Sequence, residues 1–195
     1  MKHKLVFHFF LQKDYKINRA NKIHFECMKR FLNVFDECLF VIAKDENTTD
    51  DIVKDFEKNI ITIVTVKKCC FKIVENSVYR EAKTFKEEII DKLTEPYDGL
   101  VFFAHNKGIT NYTQYPMEYV DKWICSLYFL SLNFINEVEN DLCGRIYNFQ
   151  SFFYGSILTQ ATKEPDEQVF INKNNVFYSG SFYWLNTGAL SRYIK

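Results

Sequence analysis

The stretch YDGLVFFAHNKGITNY, residues 97–112, decides how this chain is read. An apolar run from Leu100 to Ala104 does not alternate with polar residues, and it stops abruptly at His105, Asn106, Lys107 and Gly108. A strand with one wet face would alternate; a continuous run has both faces covered. Three further segments upstream read as strands: KLVFHFFL (4–11), ECLFVIA (37–43) and the β-branched NIITIVTV (59–66). Between them lie helical patterns. Residues 17–35 carry apolar positions at helical spacing from Ile23 onward, with Asn18 or Asp14 to start the turn. A short helix is expected over 50–58, capped by Thr48 or Thr49, and an amphipathic one over 79–93, stopped before Pro96.

Strand and helix thus alternate through the first hundred residues. That order, with buried strands, predicts an α/β fold with a mostly parallel sheet flanked by helices. Ligands of such sheets lie outside the carboxyl ends of the strands. His105–Gly108 falls at such an end, as do Lys44–Asn47 and the residues after Leu11. A long helix is expected over 116–142, with Pro116 well placed to begin it and a centre apolar nearly all round. From Cys143 onward the pattern becomes short strands and turns with many aromatics. No repeat, low-complexity segment or linker divides the chain, so 1–195 reads as a single domain.

Composition narrows the classes. Lys and Arg number 25 against 25 Asp and Glu, and no basic stripe stands out, so a nucleic-acid partner is not expected. The six cysteines are irregularly spaced without a CxxC pair, which reads as free thiols in a reducing compartment. The amino terminus has a basic start but no small-residue cleavage site, and no apolar stretch nears the ~20 residues of a membrane span. A cytoplasmic protein is expected, with peripheral membrane attachment left open. P-loop, GxGxxG, GxSxG and zinc-spaced clusters are all absent from the sequence.

Two short blocks carry candidate chemistry. At the fourth strand's end, Lys107 can neutralise a diphosphate, His105 can donate a hydrogen bond to the same oxygens, and Gly108 lets backbone approach closely. A strand-ending turn with a solvated lysine explains the same residues equally well. In FYSGSFYWLN (177–186), Tyr178, Phe182, Tyr183 and Trp184 surround Ser179, Gly180 and Ser181, a mixture that suits a sugar ring, while alternating Phe182 and Trp184 suit the core face of a strand as readily. His8 reads as a satisfied core histidine, Glu81 as a carboxylate favoured by the start of a helix, and Trp123 as core.

In order along the chain, a histidine-bearing strand, EAKTF on a helix, YDGLVFFAHNKG, a Trp-bearing helix and YSGSFYWLN resemble a family of bacterial glycosyltransferase-like proteins of polysaccharide and glycan biosynthesis. Its motifs are His-x-Lys-Gly at a strand end and a later Ser-Gly-Asn-Phe-Trp-Trp block. Here Asn106 takes the variable place of the first, while Ser181 and Tyr183 replace Asn and Trp in the second. The resemblance is strongest over 79–186. It implies a GT-A-like single domain with a Rossmann-like nucleotide-binding half, 1–110, and an acceptor-side half, 111–195, shortened if family members continue further.

It also implies a nucleotide-sugar donor held by His8, Asp45, Glu81, His105, Asn106, Lys107 and Gly108, and a glycan acceptor held by Tyr178, Ser179, Gly180, Ser181, Tyr183, Trp184 and Asn186. Asp45 and Glu46 are placed to meet ribose or base. His105, Lys107, Asp166 and Glu167 are the candidate catalytic residues, although a charged surface loop accounts better for the last two. Many GT-A enzymes hold a divalent metal with Asp-x-Asp after the fourth strand. That motif is missing here, so no metal ligand is assigned, and a metal-independent or weakly metal-dependent donor site is expected, with Lys107 and His105 carrying the charge. A non-catalytic nucleotide- or glycan-binding relative and an assembly protein remain the alternatives. Sugar, nucleotide, stereochemistry and oligomeric state are not specified by the residues.

Overall fold

The computed structural model describes residues 2–66, 68–77, 80–106, 116–132, 153–155 and 182–194. Their strands are β1 (His3–Leu11), β2 (Glu37–Lys44), β3 (Lys68–Glu75), β4 (Leu100–His105), β5 (Phe153–Gly155) and β6 (Tyr183–Leu185). The helices are α1 (Arg19–Phe31), α2 (Asp50–Ile63), α3 (Arg80–Glu88), α4 (Met117–Leu132) and α5 (Thr187–Ile194). One six-stranded sheet has the order β3-β2-β1-β4-β6-β5. β1 is parallel to β2 and β4, and β2 to β3; β6 runs antiparallel to both β4 and β5. The expected α/β class with a mostly parallel sheet flanked by helices is present.

Period-two alternation divides the buried side chains into two cores. Leu5, Phe7, Phe9 and Leu11 of β1, with Leu100, Phe102 and Ala104 of β4, pack with apolar residues of α1, α2 and α4. On the opposite face, Val6, Val101 and Phe103 pack with Leu185, Ile89 and the half-buried Phe85 of α3. Right-handed crossovers require this division. The chain moves one way along the sheet from β1 to β3, placing α1 and α2 on one face. It returns from β3 to β4 by α3 on the other. The winding therefore reverses between β1 and β4, and that pair defines the topological switch point.

Local signals start the helices as their chemistry requires. The Asn18 side chain accepts from the Asn21 amide at α1, and Thr49 accepts from the Ile52 amide at α2, each satisfying an orphan donor of a first turn. Lys72 of β3 reaches the buried Glu88 carboxylate of α3 at 2.6 Å, fixing that helix over the sheet. At the other end of the strands, Gly99 has φ 150, and a Cβ there would lie 2.3 Å from the Lys2 carbonyl oxygen. Only glycine lets the entries of β1 and β4 come this close.

One expected element is corrected. Residues 59–66 are not the third strand. Helix α2 continues through Ile63, and the strand is KCCFKIVE at 68–75. Val53, Phe56 and Ile60 are the buried positions of α2, a helical spacing that outweighs the β-branched composition. β3 is an edge strand that carries Lys68, Lys72 and Glu75, so it lacks the continuous apolar run of an inner strand. α4 is also less uniformly packed than its apolar centre suggests. Among the described residues, Val120, Ile124, Leu127, Tyr128 and Leu132 are buried, while Met117, Tyr119 and Phe129 are exposed. The expected continuation of this helix to residue 142 lies outside the described residues. Within them, no helix is long and apolar enough to cross a membrane.

Candidate functional site at the strand switch point

β1 and β4 pair in a register that sets His8 directly opposite His105. By alternation both imidazoles face α3, and both are buried, at 4% and 6% exposure. The first turns of α3 present Glu81 and Thr84, three residues apart and so on one helix face. Side chains at that spacing are about 5–6 Å apart, close to the ~4.8 Å between neighbouring strands. The match lets each helix residue meet one histidine. Thr84 Oγ1 lies 2.8 Å from His8 Nδ1, and Glu81 Oε1 lies 3.3 Å from His105 Nδ1. Arg80, which opens α3, has φ 46, a left-handed conformation that non-glycine residues seldom adopt.

The charges at this site are coupled. Burial, and next the neighbouring His105, lower the His8 pKa to about 4, with Glu81 pulling the other way. Glu81 is lowered to about 2, chiefly by its hydrogen bond with His105 and against the cost of burial. Tyr183, packed against Phe85 and Phe103, has its phenol pushed up by burial and then by Glu81. The arrangement is a neutral imidazole beside a carboxylate–imidazole pair, under a helix amino terminus that favours the carboxylate.

Asn106 occupies the other face of the same strand end. Its backbone N–H donates to the His8 carbonyl at 3.2 Å, the last rung of the ladder. Its side chain then replaces the next rungs: Phe10 N–H donates to Oδ1 at 2.8 Å, and Nδ2 donates to the Phe10 carbonyl at 3.0 Å. These two bonds fix which amide atom is oxygen. Nδ2 also lies 3.3 Å from Asn21 Oδ1, while Asn21 Nδ2 donates to the Tyr15 carbonyl. Asn106 therefore closes the gap between β1 and β4 and ties it to α1.

The other sequence-derived positions separate. Asp45 sits beyond β2, where its Oδ1 accepts from the Asn47 amide at 3.0 Å and Thr48 Oγ1 at 2.7 Å; it shapes the loop. Trp184 does not offer a face to a sugar. It is fully buried, stacks on Phe35, and donates its indole N–H to the Ser131 carbonyl at 2.7 Å. Asn186 lies past the end of β6, which runs against β4. It is therefore at the opposite edge of the sheet from His105, lining a hollow of about 630 Å³ with Lys2, Tyr97 and Arg192. Lys107, Gly108, Asp166, Glu167, Tyr178, Ser179, Gly180 and Ser181 lie outside the described residues.

Sequence reading missed Thr84 and Asn21. The signal for Thr84 was its spacing from Glu81 within EAKTF; nothing local marked Asn21. Among the described residues, no group of three or more His, Cys, Asp or Glu side chains could hold a metal ion. No protein-family model, curated protein or solved structure matches the chain.

Two outcomes test this geometry. Asn106→Asp keeps the acceptor for Phe10 N–H but turns the donor into an acceptor facing two others. It should cost roughly 1–3 kcal/mol in urea unfolding at pH 7, and an unchanged midpoint would show that the clasp does not form. The His8 pKa is depressed, so its contribution is fully present above pH 6.5 and lost as pH falls toward about 4. Wild type should therefore lose more stability than His8→Asn across that interval. Parallel curves would mean that His8 is not held neutral.

Proposed function

We propose that the protein is a nucleotide-sugar-dependent glycosyltransferase whose donor diphosphate binds at the carboxyl end of β1 and β4. The observation that carries this reading is the convergence of His8, Glu81 and His105 at the sheet's switch point, the crevice where open α/β sheets bind nucleotides. Supporting it are the resemblance of the AHNKG and YSGSFYWLN blocks to glycosyltransferase-like proteins and the mostly parallel sheet that resemblance implies. The leaving diphosphate needs positive charge and hydrogen-bond donors. Lys107 would supply a positive charge, and Glu81 orients the His105 ring through the contact at Nδ1. His8 stays neutral near pH 7 and can offer one donor or acceptor without adding charge.

One observation favours a second reading, a nucleotide-binding relative that performs no transfer. Glu81 is the carboxylate at the switch point, and its pKa of about 2 makes it a weak base for an acceptor hydroxyl. Transfer would thus need a base from elsewhere in the chain. Formation of a glycosylated product from a nucleotide sugar separates the two readings.

Both readings require the diphosphate to be held by charge, which Lys107→Ala tests. A charge-assisted contact contributes roughly 1.5–3 kcal/mol, so titration calorimetry should show nucleoside diphosphate binding weakened on the order of 10- to 100-fold. The uncharged nucleoside should bind as before. Unchanged diphosphate affinity would leave the strand end as a structural turn.

A further inference from the structure

On the core side of the sheet, α1 and α4 bring together two cysteines that the proposed chemistry does not use. Cys27 Sγ and Cys125 Sγ lie 3.8 Å apart across the helix–helix contact, 98 residues apart in the chain. Cys27 is buried and, among the described residues, Cys125 is exposed. Both line a groove of about 770 Å³ between the helices, together with Lys29, Arg30 and Phe129. A second pair of sulfurs, Cys38 and Cys69, faces across β2 and β3 in register, but there Cys38 is buried and Cys69 is half-buried.

We propose that Cys27 and Cys125 form a reversible disulfide that staples α1 to α4 when the protein meets a low-molecular-weight disulfide. Sulfurs in contact at 3.8 Å must approach to about 2.05 Å. The helices that carry them are already packed against each other. Reaction begins at the accessible sulfur. The Cys125 thiolate attacks one sulfur of the small disulfide, forming a mixed disulfide and expelling one small thiolate. Cys27, after losing its proton, then attacks the Cys125 sulfur and expels the second. Two protein thiols are oxidised, one small disulfide is reduced to two thiols, and two protons pass to solvent or the leaving thiolates.

The site has an entry order built in. Burial pushes the Cys27 thiol up, as does Cys125 beside it, with the Arg30 charge acting in the opposite sense and Glu26 reinforcing the rise. Cys27 is therefore a poor first nucleophile and a well-placed resolving one. Lys29 and Arg30 outweigh Glu26 among the charges lining the groove, which favours an anionic disulfide such as oxidised glutathione. The staple would bear on α1, which also carries Asn21 against Asn106. It does not depend on the glycosyl-transfer reading.

The test is incubation of the full reduced chain with oxidised glutathione, followed by non-reducing peptide mapping. The expected product is monomeric, lacks two hydrogens, and links the peptides containing residues 27 and 125. It should melt at a higher temperature than the reduced chain, because the closed loop restricts the unfolded state. The exposed change Cys125→Ser should abolish both the link and the temperature shift, while Cys27→Ser should stop at a glutathione adduct on Cys125. A stable adduct on wild-type Cys125 with Cys27 still reduced would overturn the proposal. So would a first link between Cys38 and Cys69, or one to Cys143.

Discussion

The structure depends on what fills the space where the sheet reverses its winding. Parallel strands β1 and β4 part company after the His8–His105 pair, and a backbone gap there would leave the Phe10 N–H and carbonyl without partners. Leaving two part-buried peptide groups unmet would cost up to about 1–3 kcal/mol each. The Asn106 amide supplies a donor and an acceptor in the spacing of another peptide group. With that rung in place, the histidines are held side by side and α1 is bound to the strand end through Asn21. The polar groups on the opposite face are arranged by the same register.

This constraint links two readings of HNKG that the sequence alone leaves equal. Asn106, in the variable place of the resembling motif, is a structural clasp. His105, one residue earlier, points the other way, toward Glu81 and His8. Alternation along one strand thus gives adjacent residues different work. A half-buried carboxylate paired with a buried histidine, beside a second, neutral histidine, is expensive to maintain for fold alone, since apolar residues of similar volume would serve as well. Such perturbed groups concentrate at functional sites, which is the physical basis for proposing a donor site here.

Legibility in the sequence followed the strength of the local pattern. The runs at 4–11, 37–43 and 98–104 were readable because inner parallel strands are apolar on both faces. Residues 59–66 were misread because Ile and Val suit either a strand or the buried stripe of a short helix, and Lys72 disguised the edge strand that follows. The site was half legible. His8, Glu81 and His105 were named individually, but their meeting depends on long-range register. Thr84 and Asn21 emerge only from packing. Trp184 lies in the core and Asn186 away from His105 for another reason: β6 runs antiparallel, carrying one ring inward and the next polar residue to the far edge.

The four histidines permit a direct measurement of the central claim, because they occupy different parts of the fold. His8 and His105 stand at the switch point, His24 bonds Tyr128 between α1 and α4 at 2.9 Å, and His3 lies against Trp184 near the opposite edge. Imidazole resonances followed by NMR during titration with a nucleoside diphosphate report on each separately. Saturable shifts of His8 and His105, with His3 and His24 unmoved, are the result this account predicts. Saturable binding that leaves His8 and His105 unshifted would contradict it.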